Sequence, residues 1–168
     1  MSNDKVEMAE VERATLAFVA EHRETYLSSG GRKGHVLDYR HLGGHRFTTC
    51  LLIETVGRKS GERRVTPLIY GDTGGEVVIV ASKGGADVHP GWYWNVREMG
   101  EVTIQIGGQA FRASWREPQA AERDAVWQFM AALYPPYRDY QAATDRQIPL
   151  VMFQPGDEVE ALKIGAIK

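Results

Sequence analysis

The chain has 168 residues, 43% hydrophobic and 25% charged, enough for one well-buried core. A formal net charge of −2 argues against a protein that coats nucleic acid, so no nucleic-acid partner is expected and basic residues matter only where they cluster. The lone cysteine, Cys50, excludes an internal disulfide, points to no Cys-based zinc site and lies in an apolar run, where it reads as a buried strand thiol.

In chain order, residues 6–26 follow a helical period, with Val11, Ala14, Phe18 and Val19 on one side and Glu12, Arg13 and Glu24 mostly opposite. Ser28-Ser29-Gly30-Gly31 stops that helix. A Gly-, His- and Arg-rich connection follows, with a short strand at 36–39. Strands are expected at 48–55, 65–70, 77–81, 102–106 and 110–115, separated by turn-forming glycines, and a last strand at 148–153. Helices are expected at 92–99, at 119–133 with Ala125, Trp127, Phe129, Met130 and Leu133 as apolar contacts, and at 137–144. Asp145 and Arg146, between the last helix and the last strand, could tether that segment.

Close-spaced strands without βαβ alternation read as an α+β, mainly β, single domain: an antiparallel barrel of about six strands with helices outside. Its parts are an amphipathic helix at 1–27, the barrel at 28–155 and an extension at 156–168. No apolar run reaches the roughly 18 residues of a membrane-crossing helix, and the first residues show no signal-peptide pattern, so a cytoplasmic location is expected. The first helix allows a weak peripheral contact with the inner membrane face, although Glu7, Glu10, Glu12 and Glu21 make it a poor binder of anionic lipid.

Chemistry concentrates in residues 57–95. Gly57-Arg58-Lys59-Ser60-Gly61-Glu62-Arg63-Arg64 places four cations in one turn-sized segment, but it joins two strands and lacks the spacing of a phosphate loop. Either it binds an anion through forked guanidinium groups, or it is a solvated turn that keeps a sheet edge soluble. Ala81-Ser82-Lys83-Gly84-Gly85 ends an apolar strand in a turn where backbone can approach a ligand, or where the chain simply needs positive φ. In Trp92-Tyr93-Trp94 the three rings cannot all enter one core, and Trp92 and Asn95 share a helix face. Tyr134, Tyr137 and Tyr140 recur at spacing three, as packing residues or as the lining of a pocket. His41 and His45 flank two glycines and no HExxH pattern follows, so no metal is expected. His89, just before the aromatic run, lies near enough to approach the pocket.

Taken together, Gly57-Arg58-Lys59-Ser60-Gly61, Thr66-Pro67-Leu68-Ile69-Tyr70-Gly71, Val80-Ala81-Ser82-Lys83-Gly84-Gly85, His89-Pro90, Trp92-Tyr93-x-Asn95, Tyr134-Pro135-x-Tyr137-x-x-Tyr140-Gln141 and Thr144-Asp145-Arg146-x-Ile148-Pro149 resemble the deazaflavin-dependent nitroreductase family of actinobacteria, over roughly residues 26–155. The resemblance implies a split β-barrel and coenzyme F420, a deazaflavin with a phosphate and an oligoglutamate tail. By motif, Arg58, Lys59, Ser60 and Arg64 would hold the phosphate and tail. Thr66, Pro67, Ala81, Ser82, Lys83, Gly84, Trp92 and Asn95 would line the ring and polyol. Tyr134, Tyr137 and Tyr140 would close over the acceptor, with Ser82 donating a hydrogen bond near the reducible group. The implied reaction is hydride transfer from the reduced deazaflavin to a flat acceptor: a quinone, an activated enone or enoate, or a nitroaromatic. The alternatives are an FMN-dependent reductase on the same barrel and a non-catalytic F420 carrier. Glu62-Arg63 and the small Ala142-Ala143 depart from the family pattern, and no oligomeric state follows from these residues.

Overall fold

The computed structural model describes residues 3–164, with side chains described for Glu10 and from Arg13 onward. Helix α1 spans Asn3–Ser28, about 39 Å at 1.5 Å per residue. Its last two turns meet the body of the protein through buried His22, Tyr26 and Leu27, and Phe18, a turn earlier, stands edge-on to Tyr39 at 6.3 Å. Of the apolar side expected to run along it, Ala14 is exposed, Phe18 is 42% exposed and Val19 is half-buried. Val11 and Glu12 lie outside the described side chains.

The chain leaves α1 through Gly30 and Gly31. Gly31 has φ +80°, and a Cβ there would fall 1.8 Å from the Gly107 carbonyl oxygen, so only glycine lets the chain pass the turn at Gly107. Beside it the fully buried Tyr26 hydroxyl accepts from the Gly107 N–H at 2.8 Å and faces the Cys50 and Gln105 carbonyls at 3.1 and 3.3 Å. One phenol therefore joins α1 to two strands and a turn.

The strands are β1 (Val36–Leu37), β2 (Thr48–Val56), β3 (Arg63–Ile69), β4 (Gly71–Asp72), β5 (Val77–Val80), β6 (Glu101–Ile106), β7 (Gln109–Arg116) and β8 (Leu150–Val159). Six are long and two are two-residue pieces, so the expected barrel of about six strands stands with β4 as an unanticipated addition. All pairs are antiparallel, in the order β3–β2–β6–β7–β8–β5–β4, with β1 also on β2. The sheet curls into a split barrel. Among the described residues β3 pairs only with β2, and its other edge accommodates Pro67 without losing a ladder bond.

Side chains alternate across this curled sheet. Leu51, Ile53, Val77, Ile79, Ala81, Ile104, Ala113, Val151 and Phe153 fill the interior together with Trp92, Tyr93 and Val96 of α2 (Gly91–Glu98). The outer face of β5 and β8 is covered by α3 (Ala120–Leu133) and α4 (Pro136–Ala142), where Val78, Val80, Leu150 and Met152 meet Val126, Met130, Tyr134 and Tyr137. In α3 the buried face is Val126, Met130 and Ala131. Ala125 and Phe129, expected as core contacts, are exposed, because burial follows the i, i+4 stripe through Val126 and Met130. β8 continues past the expected end at 153: Glu158 and Val159 pair with Phe111 and Ala110, and the Leu162 N–H donates to Gln105 Oε1 at 2.8 Å. Among the described residues no helix is long and apolar enough to cross a membrane.

Candidate cofactor and acceptor site

The β2–β3 turn is closed by Gly57 N–H to the Glu62 carbonyl and Gly61 N–H to the Gly57 carbonyl, both at 2.8 Å. Gly61 takes φ +70°, and Ser60 Oγ accepts from the Glu62 N–H at 3.1 Å. From the other side comes α2, whose buried Asn95 fastens three elements. Its Oδ1 accepts from Arg58 N–H at 3.2 Å and from the Arg58 guanidinium at 3.4 Å, while its Nδ2 donates to Thr55 Oγ1 at 3.3 Å. Between turn and helix lies a cleft of about 320 Å³ whose walls include Arg58, Lys59, Ser60, Arg64, Thr66 and Trp92.

Strand parity decides which cations reach it. Arg64 and Thr66 share one face of β3 and line the cleft. Arg63, one residue away, is on the other face and forms an ion pair with Glu54 of β2, so three of the four cations serve the cleft. Among the described residues no carboxylate lines the cleft; Glu62 stands 3.7 Å from Arg64 in an exposed pair of small energetic worth. The cleft thus carries excess positive charge beside an indole wall. Of the aromatic run, Trp92 supplies that wall, Tyr93 is buried with its hydroxyl on Glu117, and Trp94 is 40% exposed.

At the end of β5, Ala81 is wholly buried in the barrel interior. The following turn is left-handed at three consecutive residues, Lys83, Gly84 and Gly85, with φ of +45°, +63° and +84°. Gly85 is required by contact: a Cβ there would lie 2.9 Å from the Tyr140 carbonyl oxygen, whereas at Gly84 it would meet nothing within 4 Å. The Arg146 guanidinium grips the turn from behind, bonding the carbonyls of Ala81, Ser82 and Ala86. The Ser82 hydroxyl makes no hydrogen bond among the described residues.

The three tyrosines do gather. Ring centroids lie 4.9 Å apart for Tyr134 and Tyr137, 6.4 Å for Tyr134 and Tyr140, and 6.3 Å for Tyr137 and Tyr140. Tyr39 joins them edge-on to Tyr134 at 5.6 Å, a partner without a sequence signal because it arrives from the connection after α1. Tyr134 and Tyr137 are buried in the outer cluster and Tyr140 is half-buried. Burial holds the Tyr134 and Tyr137 phenols protonated far above the ordinary tyrosine value. Burial likewise pushes the neighbouring Cys50 thiol up to about 12.

Of the residues singled out from sequence, Arg58, Lys59, Ser60, Arg64, Thr66, Trp92 and Asn95 line one cleft. Pro67 points to the opposite face of β3 from Thr66. Ala81 lies in the interior, Ser82, Lys83 and Gly84 form the turn after β5, and the tyrosines sit behind that turn on α4 and the end of α3. Gly57, Gly91 and Thr55 complete the cleft without having been singled out for it; Thr55 was findable, since it stands directly opposite Arg64 in the β2–β3 register. His89 lines a second cavity of about 440 Å³ with Tyr93, Glu117 and Arg123. His45 bonds the Ala132 carbonyl, and His41 stacks on Tyr39.

Among known proteins, the family described as F420H(2)-dependent quinone reductase matches residues 19–155. The F420H(2)-dependent quinone reductase Rv1261c of Mycobacterium tuberculosis is 34% identical over 134 residues, 78% of this chain and 85% of the relative. A solved F420-H2 dependent reductase, FDR-A, is 39% identical with a TM-score of 0.57, over 62% of this chain and 93% of that one. Another solved chain, a domain-swapped dimer, is 36% identical with a TM-score of 0.60, over 83% of this chain and 99% of that one. With this match over most of its length and the split barrel in common, the chain belongs to the F420H(2)-dependent quinone reductase family and is an F420H2-dependent oxidoreductase.

Proposed function

We propose that this reductase passes its reducing equivalents to a flat, apolar acceptor of the quinone class, and that the cleft at the β2–β3 turn holds the anionic part of F420. The observation that carries the reading is the cleft itself, with three cations, no lining carboxylate among the described residues and the Trp92 indole beside them. That donor set fits a phosphate followed by glutamates: guanidinium forks of Arg58 and Arg64, the point charge of Lys59, and Ser60 at the turn.

Bound there, reduced F420 supplies the hydride. The chain's own residues position and polarise. Asn95 and Thr66 face the polyol and ring side of the cleft, and Asn95 keeps the Arg58 backbone in place. The Ser82 hydroxyl, with no protein partner among the described residues, is free to donate to an acceptor oxygen. Tyr134 and Tyr137 keep their protons and supply apolar, aromatic surface that excludes water from a flat acceptor. Tyr140, the half-buried member, stands between that surface and solvent.

Fluorescence titration of the purified protein with F420 and with FMN tests the cofactor site. F420 is expected to bind with an affinity that falls as salt rises, and FMN not to compete. In a steady-state screen the highest kcat/KM is expected for a quinone over an enone or a nitroaromatic. A preference for FMN, or no binding of either, sinks the reading.

A further inference from the structure

The turn after β5 presents a physical problem. Its three consecutive left-handed residues include one with a side chain, Lys83, whose Cβ is strained in that conformation. Its tip faces open space at Gly84. Something outside the turn must keep its shape, and the hydrogen bonds converge on one group. Arg146 donates from Nη2 to the Ser82 carbonyl at 2.7 Å, from Nε to the Ala86 carbonyl at 2.7 Å, and from Nη1 to the Ala81 carbonyl at 3.2 Å. Nη1 also lies 2.9 Å from His89 Nδ1. A guanidinium has no acceptor, so Nδ1 accepts and His89 is the neutral Nε2–H tautomer. Both ends of the turn are thereby fastened to one planar cation.

That cation is itself anchored to the tyrosine helix. The Arg146 carbonyl accepts from Gln141 Nε2 at 2.8 Å, Gln141 Oε1 accepts from the Ile148 N–H at 2.9 Å, and Thr144 Oγ1 donates to Asp87 Oδ1 at 2.9 Å. Resting on the functional reading above, we infer that Arg146 is a positioning residue: with neutral His89 as its fourth partner, it sets the place of Ser82 and Lys83 at the cofactor site. Lysine cannot substitute, because a single ammonium nitrogen cannot span four acceptors arranged around a planar fork.

The clamp has a pH sense. His89 is faced by Arg146, by Tyr93, Trp94 and Arg97 of α2, and by Glu117 after β7, while Arg123 of α3 lines the same cavity. Burial first, then Arg146 and Arg97, hold its pKa below the ordinary value, against the opposing pull of Glu117. It is therefore neutral at neutral pH. Protonation in acid replaces the Nδ1 acceptor with an N–H set against the guanidinium, and the turn loosens.

Two readouts on wild type, Arg146→Lys and His89→Asn decide the matter: hydrogen exchange of the 81–89 segment and F420 affinity by fluorescence titration, each followed from about pH 7.5 down to about pH 5. Arg146→Lys is expected to speed exchange at Gly85 and Ala86 by about tenfold and to weaken F420 binding by about fivefold or more at neutral pH. His89→Asn keeps an acceptor near Nδ1 but cannot titrate, so it should match wild type at neutral pH and lose part of the wild-type weakening in acid. That difference is independent of any titration of the cofactor, which both proteins share. Unchanged exchange in Arg146→Lys, faster exchange with unchanged F420 affinity, or identical acid profiles for His89→Asn and wild type each overturn the inference. Should Arg146→Lys fail to fold, the His89→Asn profile decides alone. A wild-type protein that binds no F420 overturns the functional reading and the positioning role with it, a result distinct from binding that is indifferent to Arg146.

Discussion

Replacing Gly85 by alanine tests the packing of the turn against the tyrosine helix, with Gly84→Ala as its internal control. Both positions are left-handed, at +84° and +63°, so either alanine carries a backbone strain of about 1–2 kcal/mol. They differ in what a Cβ would meet. At Gly84 it finds open space. At Gly85 it comes 2.9 Å from the Tyr140 carbonyl oxygen, 3.0 Å from Tyr140 Cα and 3.3 Å from Ala143 Cβ. Two of those atoms are backbone of α4 and cannot swing aside, which adds an overpacking cost of about 1–3 kcal/mol. Gly85→Ala should then cost about 2–5 kcal/mol in all, against about 1–2 for Gly84→Ala. For a chain of this length each kcal/mol lowers the melting temperature by about 2–4 °C. The two variants should separate clearly in thermal denaturation followed by circular dichroism. Equal shifts would refute the claim that Gly85 is required by contact and not by conformation alone.

Other consequences can be checked alongside. Replacing Arg58 and Lys59 together by alanine should weaken F420 binding by about tenfold or more at low salt and flatten its dependence on ionic strength; intact affinity would remove these residues from the tail assignment. Tyr137→Phe, which keeps the aromatic surface, should retain most acceptor reduction, whereas Tyr137→Ala should slow it while F420 still binds and, by emptying a buried site beside Tyr134, should also lose about 3–5 kcal/mol of stability. Turnover equal to wild type in the alanine variant would take Tyr137 out of the acceptor site. The Cys50 thiol, buried and pushed up to about 12, should resist thiol reagents at about pH 8 until the protein unfolds; rapid stoichiometric labelling of the native protein would contradict its burial.

Much of this was legible in the chain because local pattern and tertiary structure agree. The long strands announce themselves by apolar runs between glycines, and helix α2 carries Trp92 and Asn95 to the cleft on one face, as their spacing implies. Where the reading fell short, the missing quantity was usually a register or a direction. Four cations in one short segment look alike in sequence, and only the pleat turns Arg63 to Glu54 and Arg64 to the cleft. Thr55 joins the site through its pairing with Arg64 across β2 and β3. The spacing of Tyr134, Tyr137 and Tyr140 shows that they meet, but not that two of them are packed beneath α3 and α4 with Tyr39 and Cys50. The length of α1 was readable; the exposure of Ala14 and Phe18 on its apolar side was not, because nothing local says where the sheet beneath a helix ends.

The place of β8 in the sheet bears on how the molecule acquires activity during synthesis. Strands β3, β2, β6 and β7 form one run of ladders and β5 with β4 another; in the described sheet, strand pairing joins the two only through β8. The cationic cleft belongs to the first run and the glycine-rich turn to the second. A nascent chain that has released everything up to Pro149 holds both halves of the site without the strand that puts them in register. Closure is a late, non-local event, of the kind that makes folding slow and leaves sheet edges exposed to aggregation in the meantime. Truncations or stalled products lacking β8 should therefore be sticky, inactive species and not partly active enzymes.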